Sequence, residues 1–323
     1  MKTAVISFTE RGNELNRRIT AFLYGEPFES AKNIKELVKR LFNDFDAFVF
    51  IGAAGIAVRA VAPNIKSKDT DPAVIVCDEL GQYVIPILSG HIGGANELAY
   101  KIAEKIGAVS VITTATDINN VWAVDTWAVK NNFNIENIAN IKYISSALLK
   151  GEKVALKTDF PINGAVPDGL TFLKNPNGIV VSPFLLKPFE HTLNVVPRCI
   201  NIGVGSRKNA DENSLVEAFE TLKISKNAVK SVSTIDIKKN EKSVQTLAEY
   251  FGVPLITYTA DQLNTAEGEF TSSEFVKQIT GTDNVCERSA VLSGGELIVN
   301  KIKGNEVTIA VSMENTELNF EVE

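Results

Sequence analysis

The residues best suited to chemistry lie in the segment Ser89-Gly90-His91-Ile92-Gly93-Gly94-Ala95-Asn96, between an apolar strand and an amphipathic helix. Its glycines leave backbone N–H groups open to a ligand, and the start of a helix adds partial positive charge. These features favour a bound anion or a developing oxyanion, with the amides of Gly93 and Gly94 as candidate donors. The segment matches neither a Walker loop nor the GxGxxG dinucleotide fingerprint. The alternative is a tight turn that needs glycine for packing.

His91 is one of only two histidines in the chain. Its imidazole titrates near neutrality beside the candidate oxyanion site, so it is a candidate general base or acid. The alternative is a ring that only hydrogen-bonds a neighbouring turn. Glu79 lies next to Asp78 in a predicted hairpin turn, and its carboxylate is a second candidate base. The predicted catalytic residues are His91, Glu79, Gly93 and Gly94.

Three further segments could bind the anionic groups of a ligand. Gly52-Ala53-Ala54-Gly55 follows a buried strand, and Arg59 lies about one turn into the next helix. Residues 113–117 end another strand, at the edge where open α/β sheets bind ligands. Residues 203–208 combine a permissive backbone with two cations. In each case an ordinary polar loop is the alternative. The candidate binding residues are Gly52, Gly55, Arg59, Ser89, Gly90, Asn96, Thr114, Asp117, Gly203, Gly205, Ser206, Arg207 and Lys208.

The elements that must position these residues alternate between strands and helices. Helices are predicted over residues 11–23 and around 34–41, where apolar side chains recur every three or four residues. The apolar run 47–51 is typical of a buried parallel strand. Strands over 73–77 and 83–88 flank an acidic turn, which predicts a hairpin. A helix that begins near residue 95 and ends at Gly107, followed by a strand over 108–113, completes an N-terminal α/β domain over 1–118.

After residue 118 asparagine and turn residues become frequent, which predicts a smaller, looser middle segment over 119–195 with one helix near 135–149. From residue 196 the alternation resumes. We expect a strand over 199–204, a helix behind an Asn209/Glu212 capping box, a helix capped by Asn240 and a strand over 254–258. A closing hairpin is predicted from 297–302 and 307–311. The predicted fold is therefore α/β, with two βα-alternating domains, 1–118 and 196–323, whose sheets are mainly parallel.

Composition excludes several classes of protein. The 323 residues are 45% hydrophobic and 22% charged, which is enough for two or three folded domains. A net charge of -6 argues against non-specific nucleic-acid binding. No apolar run of about 18 residues predicts a membrane span, and no signal-peptide pattern is apparent. The three cysteines have neither the spacing of a metal site nor the even count of a secreted disulfide framework, so we expect a cytoplasmic protein without a protein-held metal.

Several motifs follow one another in the order of a known family. They are Gly52-Ala-Ala-Gly-Ile-Ala-Val-Arg59, Lys68-Asp-Thr-Asp-Pro-Ala-Val74, Asp78-Glu79, Leu88-Ser-Gly-His-Ile-Gly-Gly-Ala-Asn96 and Ile112-Thr-Thr-Ala-Thr-Asp117. Through them the chain resembles the cobalt-precorrin 5A hydrolase family, CbiG. The C-terminal part is similar to the same family and to the CobE-type domain. The motifs there are Gly203-Val-Gly-Ser-Arg-Lys208, Thr234-Ile-Asp-Ile-Lys238, Phe251-Gly-Val-Pro254 and Ser273-Glu-Phe-Val276. The resemblance thins between residues 119 and 195.

The resemblance implies an enzyme that opens the δ-lactone between the ring A acetate and C20 of a cobalt-corrin intermediate. The two-carbon unit at C20 would leave as acetaldehyde, and cobalt-precorrin 5B would remain. Cobalt would arrive inside the substrate, and protein ligands would hold no cofactor. Neighbouring pathway enzymes are expected partners for substrate transfer, whereas nucleic acid and membranes are not. The family often has Cys and Gly where this chain has Ser206 and Asn209, so that loop lacks a thiol nucleophile and suits carboxylate binding.

For such a substrate, Arg59, Arg207 and Lys208 would bind the peripheral acetates and propionates. Water would attack the lactone carbonyl, the glycine amides would hold the oxyanion, and His91 would take the proton of the water. A non-catalytic tetrapyrrole carrier of the same pathway is the alternative, because every loop could bind without reacting. A phosphate- or nucleotide-dependent enzyme is a third hypothesis, which the missing Walker and Rossmann signatures oppose.

Overall fold

The computed structural model describes residues 1–67 and 70–321, so Lys68 and Asp69 of the sequence motif that starts at residue 68 lie outside the described residues. The chain divides into two compact units, unit 1 over Met1–Thr126 and unit 2 over Trp127–Glu323. The predicted α/β class with mainly parallel sheets is confirmed in both units. The predicted domain boundaries near residues 118 and 195 stay a prediction.

Unit 1 is built on a six-stranded sheet of order β2-β1-β3-β4-β5-β6. Its strands are β1 (Thr3–Ser7), β2 (Glu26–Phe28), β3 (Ala47–Ile51), β4 (Ala73–Cys77), β5 (Tyr83–Leu88) and β6 (Val109–Ser110). Its helices are α1 (Glu10–Leu23), α2 (Ile34–Leu41), α3 (Ala54–Val61), α4 (Ala95–Ile106), α5 (Ala115–Ile118) and α6 (Val124–Lys130), and the division between the units falls within α6. Strands β1 to β4 are mutually parallel, β5 is antiparallel to β4, and β6 is parallel to β5.

Helices cover both faces of this sheet. On one face Val49 of β3 packs in a core with side chains of α1 and α4. On the other face Phe48 and Phe50 pack in a core with side chains of α2 and α3. Successive side chains of a strand point to opposite faces, so a strand between two helical layers must be apolar throughout. The uninterrupted apolar run of residues 47–51 follows from this arrangement.

The reversed direction of β5 gives the sheet two distinct loop edges. The first edge contains the carboxyl ends of β1, β3 and β4. The second edge contains the carboxyl ends of β5 and β6. Cys77 pairs with Val84 and Val74 pairs with Leu88, so the loops that leave β4 and β5 depart from opposite ends of their hairpin. At about 3.3 Å per residue these ends are about 13 Å apart.

Unit 2 contains two five-stranded sheets and a two-stranded pair, β18-β9. The first sheet has the strand order β10-β8-β11-β12-β7. Its strands are β7 (Asn134–Glu136), β8 (Val154–Thr158), β10 (Leu170–Thr171), β11 (Asn177–Val181) and β12 (His191–Val196). Strand β7 is antiparallel to β12, and the other pairings are parallel. In order β15-β14-β13-β17-β16 the second has β13 (Ile200–Ser206), β14 (Val229–Ile235), β15 (Leu255–Tyr258), β16 (Glu296–Lys303) and β17 (Val307–Met313). The short pair is β9 (Ile162–Asn163) with β18 (Leu318–Asn319).

The helices of unit 2 are α7 (Ile141–Leu149), α8 (Ser214–Glu220), α9 (Lys242–Phe251), α10 (Ala260–Asn264), α11 (Glu274–Thr280) and α12 (Cys286–Ser293). Strands β13, β14 and β15 are parallel, whereas β17 is antiparallel to both β13 and β16. The predicted closing hairpin is thereby confirmed. The middle stretch of the chain contains a regular sheet of its own, although its composition indicated looser structure.

Four local predictions are wrong in detail. Residues 134–136 form β7 instead of the start of a helix, because they pair with β12 and Asn137 adopts a left-handed φ of 52°. Asn209 is left-handed too, with φ 61°, and α8 begins later, at Ser214, so the predicted capping box is absent there. Helix α9 follows Glu241 rather than Asn240, without a side-chain cap. The strand predicted over 108–113 keeps its regular form only at Val109–Ser110.

Candidate active site

The ring of His91 lies between two aspartates of unit 1. Nε2 is 2.8 Å from Asp117 Oδ2, and Nδ1 is 3.1 Å from the Asp125 carboxylate. The exposed fraction of the side chain is 2% for Asp125, 9% for His91 and 29% for Asp117. The three side chains form a row from the interior to the surface, the aspartate–histidine row. Because each ring nitrogen faces a carboxylate, the charged imidazolium with a proton on both nitrogens is favoured.

The electrostatics of the row change the role available to His91. Its hydrogen bond with Asp125 is the largest influence and raises the pKa of His91 above the ordinary 6.5, while burial opposes the rise and Asp117 adds to it. Both ring nitrogens are occupied by contacts with carboxylates, so neither is open to a proton from a ligand, and this geometry argues against His91 as the general base. Asp117, the outermost member of the row, is the group placed to accept a proton from a ligand.

Other predicted residues converge on the same carboxylate. Asn96, which is buried at the start of α4, donates through Nδ2 to Asp117 Oδ2 at 3.0 Å and to Thr114 Oγ1 at 3.0 Å. Thr116 Oγ1 lies 3.4 Å from His91 Nε2. Asp117 Oδ2 thus accepts from both His91 and Asn96, so the orientation of this carboxylate is fixed. Two loops of the second edge, after β5 and after β6, supply these side chains.

The glycines before α4 allow the loop to fold back on itself. Ser89 has a left-handed φ of 57°, its Oγ donates to Asp71 O at 2.9 Å, and its carbonyl accepts from the Ala95 N–H at 3.1 Å. A Cβ on Gly93 would lie 2.4 Å from Ser89 Cβ, and one on Gly90 would lie 2.8 Å from the Asn96 Oδ1. Both glycines are therefore required for close packing, which was the alternative to a ligand-binding role.

The predicted pair of oxyanion donors is not available as predicted. The Gly94 N–H already donates to His91 O at 2.9 Å, because residues 91–94 form a tight turn ahead of α4. The Gly93 N–H, by contrast, meets no acceptor in the described part of the chain. The prediction of Gly94 as an oxyanion donor is wrong for this conformation. One candidate amide remains.

Four predicted residues lie at the first edge, away from the row. The Gly52 N–H donates to Cys77 O at 2.8 Å. The Arg59 guanidinium folds back over Gly55, 3.5 Å from where a Cβ of that glycine would stand. Glu79 Oε2 accepts from Thr9 Oγ1 at 2.9 Å. Glu79 therefore cannot act together with His91, because the two lie at opposite ends of the β4–β5 hairpin. The roles predicted for Gly52, Gly55 and Arg59 in binding the carboxylates of a ligand stay predictions.

The predicted loop 203–208 ends β13 in unit 2. Gly203 does not admit a ligand, since a Cβ there would lie 1.8 Å from Cys286 O, so α12 occupies that space. The predicted binding role of Gly203 is wrong. Its lack of a side chain instead allows α12 to pack closely against β13. Gly205, Ser206, Arg207 and Lys208 line a cavity. The Ser206 hydroxyl is buried and has no hydrogen-bond partner among residues 1–67 and 70–321.

Asp125 is the member of the aspartate–histidine row that the sequence motifs missed. It lies in the first turn of α6 and belongs to no recognised motif. The sequence does contain one signal for this residue. Asp125 is the only charged residue in the run Val121-Trp-Ala-Val-Asp-Thr-Trp-Ala-Val129. A lone charge in an apolar run is buried only when it has a partner. That signal identifies the buried carboxylate, but it does not identify His91 as its partner.

The cysteines are unsuited to nucleophilic catalysis. All three are buried and free of disulfide bonds. Burial raises the pKa of Cys77 to about 12 and the pKa of both Cys199 and Cys286 to about 11, so the reactive thiolate is scarce at neutral pH. Over the described ranges, no cluster of three His, Cys, Asp or Glu side chains suits a metal ion. None of the described helices combines the length and the apolar character needed to cross a membrane.

Three family models match consecutive stretches of the chain: cobalamin synthesis G N-terminal over residues 36–117, cobalamin biosynthesis central region over 122–197, and cobalamin synthesis G C-terminus over 200–312. The central match covers the stretch in which the motif resemblance thins. Two solved structures are also similar. A cobalamin biosynthesis protein G homologue from Sulfolobus solfataricus is 23% identical, covers 97% of both chains and has a TM-score of 0.43. CobE, a protein of the cobalamin biosynthetic pathway, is 23% identical, covers 36% of this chain and 91% of its own, and has a TM-score of 0.33.

Two relatives match along almost the whole sequence. The cobalt-precorrin-5A hydrolase of Salmonella typhimurium is 32% identical over 96% of this chain and 97% of its own length. The cobalt-precorrin-5A hydrolase of Priestia megaterium is 30% identical over 94% of this chain and 86% of its own length. Identity of this extent, together with three consecutive family matches, means that the chain belongs to the CbiG family of cobalt-precorrin-5A hydrolases.

Proposed function

We propose that this protein is a cobalt-precorrin-5A hydrolase. It opens the δ-lactone between the ring A acetate and C20 of the cobalt-corrin substrate, releases the two-carbon unit as acetaldehyde and leaves cobalt-precorrin 5B. The observation that carries the proposal is the 32% identity over nearly the whole length with a protein of that name. The aspartate–histidine row supports it, because it offers a proton acceptor at the surface backed by a buried ion pair.

Lactone opening requires a base for water and a positive charge near the carbonyl. Asp117 takes a proton from water, and the water oxygen bonds to the lactone carbonyl carbon. The oxyanion that develops is stabilised by the imidazolium of His91 and by the free N–H of Gly93. The acyl carbon–oxygen bond then breaks, and the oxygen attached to C20 leaves with a proton returned from Asp117. The products of this step are a free acetate side chain and a hydroxyl on C20.

Release of acetaldehyde is a second proton transfer. Asp117, again a carboxylate, removes the proton of the C20 hydroxyl. The bond between C20 and the ring breaks as the carbon–oxygen double bond forms, the electron pair stays in the conjugated ring system, and Asp117 passes its proton to solvent, which regenerates the carboxylate. One molecule of water is then consumed for each molecule of acetaldehyde released. The same carboxylate serves both steps, which agrees with its fixed orientation by His91 and Asn96.

The test is incubation of the purified protein with cobalt-precorrin 5A under anaerobic conditions, with acetaldehyde measured by a coupled alcohol dehydrogenase assay. We expect one acetaldehyde per substrate. Asp117→Asn is the informative variant, because the amide oxygen can still accept from His91 while the base is lost. Loss of a general base lowers the turnover number by about 100- to 10,000-fold. Wild-type turnover in Asp117→Asn would contradict the mechanism.

A matched control is Asp44→Asn, which makes the same change far along the sequence from the row and should leave turnover unaltered. His91→Gln should also lose activity, because the imidazolium is removed from the row. If the wild type bound the substrate and released no acetaldehyde, the non-catalytic carrier would be the better description. Substrate transfer from neighbouring pathway enzymes, a cytoplasmic location and the absence of a protein-held cofactor remain predictions.

A further inference from the structure

We infer that unit 2 contains a site that binds the macrocycle itself, a cavity whose cations hold the ring carboxylates while an apolar helix face covers the ring. The cavity has a volume of about 730 Å³ and opens beyond the carboxyl ends of β13 and β14. The turn between β16 and β17 lies at the same edge, since Ser206 pairs with Val307 and Lys303 pairs with Thr308. This is the edge at which open α/β sheets bind ligands, and the volume lies within the usual range of about 300–1,000 Å³ for small-molecule sites. The inference rests on the proposed function, from which it takes the ligand.

Positive charge is concentrated in this cavity. Among residues 1–67 and 70–321, five cations line it, and the one carboxylate in the lining is Glu306. The five are Arg207, Lys208, Lys238, Lys301 and Lys303. Such a cluster is notable in a chain whose net charge is -6. It favours a ligand with several negative charges, because like-charged side chains gathered around a cavity repel one another until an anion enters.

Only part of this charge is neutralised by the protein. Lys238 lies 3.2 Å from the Glu241 carboxylate, and Arg207 lies 4.0 Å from Glu306. Within the described residues, Lys208, Lys301 and Lys303 have no carboxylate at ion-pair distance. Three cations are thus available to a ligand. A corrin intermediate carries acetates and propionates around its whole periphery and can meet several of them at once.

Another part of the cavity wall is apolar. Phe275, Val276 and Ile279 of α11 line it, and Phe275 and Ile279 are 69% and 60% exposed. These two side chains are four residues apart, so they lie on one face of the helix. Two large apolar side chains left in water beside a cationic cavity suit a ligand with a broad apolar surface. The face of a flat ring would contact the apolar side chains, and its peripheral carboxylates would contact the cations.

A buried carboxylate holds the two walls together. Glu287, which is fully buried in α12, accepts from the Thr271 N–H at 2.6 Å and from the Lys301 N–H at 2.6 Å. Thr271 precedes α11, whereas Lys301 lies on β16. Glu287 therefore fixes the segment that leads to the apolar wall and the strand that carries two of the cations. A site prepared in this way loses less conformational entropy when it binds.

The direct test measures binding of dicyanocobyrinic acid, a stable cobalt corrin with free carboxylates, to the full-length protein by calorimetry. Lys301→Gln combined with Lys303→Gln should weaken binding about tenfold or more, since charge-assisted contacts are lost. The matched control removes the same charge outside the cavity with Lys277→Gln and Lys239→Gln, and its affinity should stay within about twofold of the wild type. Phe275→Ser should also weaken binding without any change of charge. Unchanged affinity in the Lys301/Lys303 variant would overturn the inference, as would tight binding of ATP with no binding of the corrin.

Acetaldehyde release separates this inference from the proposed function. If the wild type releases acetaldehyde but the Lys301/Lys303 variant binds the corrin normally, the function stands and the cavity is not the corrin site. If the wild type binds the corrin through these lysines but releases no acetaldehyde, the inference stands and the protein is a carrier. Asp117→Asn should bind the corrin like the wild type, because that carboxylate lies in unit 1 and does not line the cavity.

Discussion

Asp125→Asn tests the electrostatics of the aspartate–histidine row most directly. The substitution keeps the shape of the side chain and an oxygen that can accept from His91 Nδ1, but it removes the negative charge. The hydrogen bond with Asp125 is the largest influence that raises the pKa of His91. The pKa of His91 should therefore fall in the variant.

The magnitude follows from the burial of the pair. A hydrogen bond to a charged group contributes about 1.5–3 kcal/mol to stability, against about 0.5–1.5 kcal/mol for a neutral one. With 9% exposure at His91 and 2% at Asp125, solvent screens the interaction little, so the variant should lose about 1–2 kcal/mol of the free energy of unfolding. This loss depends on pH. Because the folded pKa lies above the unfolded value near 6.5, the ion pair stabilises fully below that pH, and its contribution disappears as pH rises through the folded pKa.

Two measurements follow the change. Urea unfolding at about pH 6 and about pH 9 gives the difference in stability between wild type and variant, and the fluorescence of Trp122 and Trp127 reports on the segment that contains residue 125. The difference should be larger at the lower pH. NMR titration of the imidazole signals gives the pKa directly, because the chain has only two histidines and His191→Gln assigns the other signal.

Two results would contradict this account of the ion pair. One is a stability difference of equal size at both pH values, which would mean that the charge state of His91 does not matter to the contact. The other is a wild-type His91 that titrates below its ordinary value, which would show that burial outweighs both aspartates. In that case the ring would be neutral at pH 7 and could serve as the base, as the sequence motifs indicated.

Three further outcomes are expected. Glu79→Gln should leave acetaldehyde turnover within about twofold of the wild type, because the residue lies at the first edge, and a larger loss would contradict the sheet topology. Gly203→Ala should lower the melting temperature in calorimetry more than Gly151→Ala does. A methyl group at residue 203 would overpack against Cys286 O, which costs about 1–3 kcal/mol or more, whereas residue 151 has open space and only a left-handed backbone to strain. Equal losses in the two variants would argue against the packing of α12. Glu287→Gln should speed hydrogen exchange in residues 271–280, because two backbone donors lose a charged acceptor, and unchanged protection would show that this carboxylate does not anchor α11.

The predictions made from local patterns agree well with the structure. The helices Glu10–Leu23 and Ile34–Leu41 and the strands Ala47–Ile51 and Tyr83–Leu88 follow the predicted bounds closely. Gly107 ends α4 in a left-handed conformation, as its position predicts. The apolar periodicity of a helix or strand and the glycine that ends a helix depend only on residues near in sequence, so both can be predicted from the sequence. Residues 135–140 were predicted less well because Ile135 pairs with Val195, and no local pattern records that pairing.

Motifs and periodicity are enough to predict the fold class, the family and the residues of the loop that contains His91. Which of those residues meet depends on the pairing of distant strands. The antiparallel pairing of β5 with β4 places Glu79 and His91 at opposite ends of a hairpin, and the parallel pairing of β6 with β5 brings the segment that contains Asp117 to the histidine. The contact between His91 and Asp125 joins residues 34 positions apart, and it raises the pKa of the histidine, which favours the charged form over the free base. Spacing along the chain could not show this, because a pKa depends on charges and burial in space.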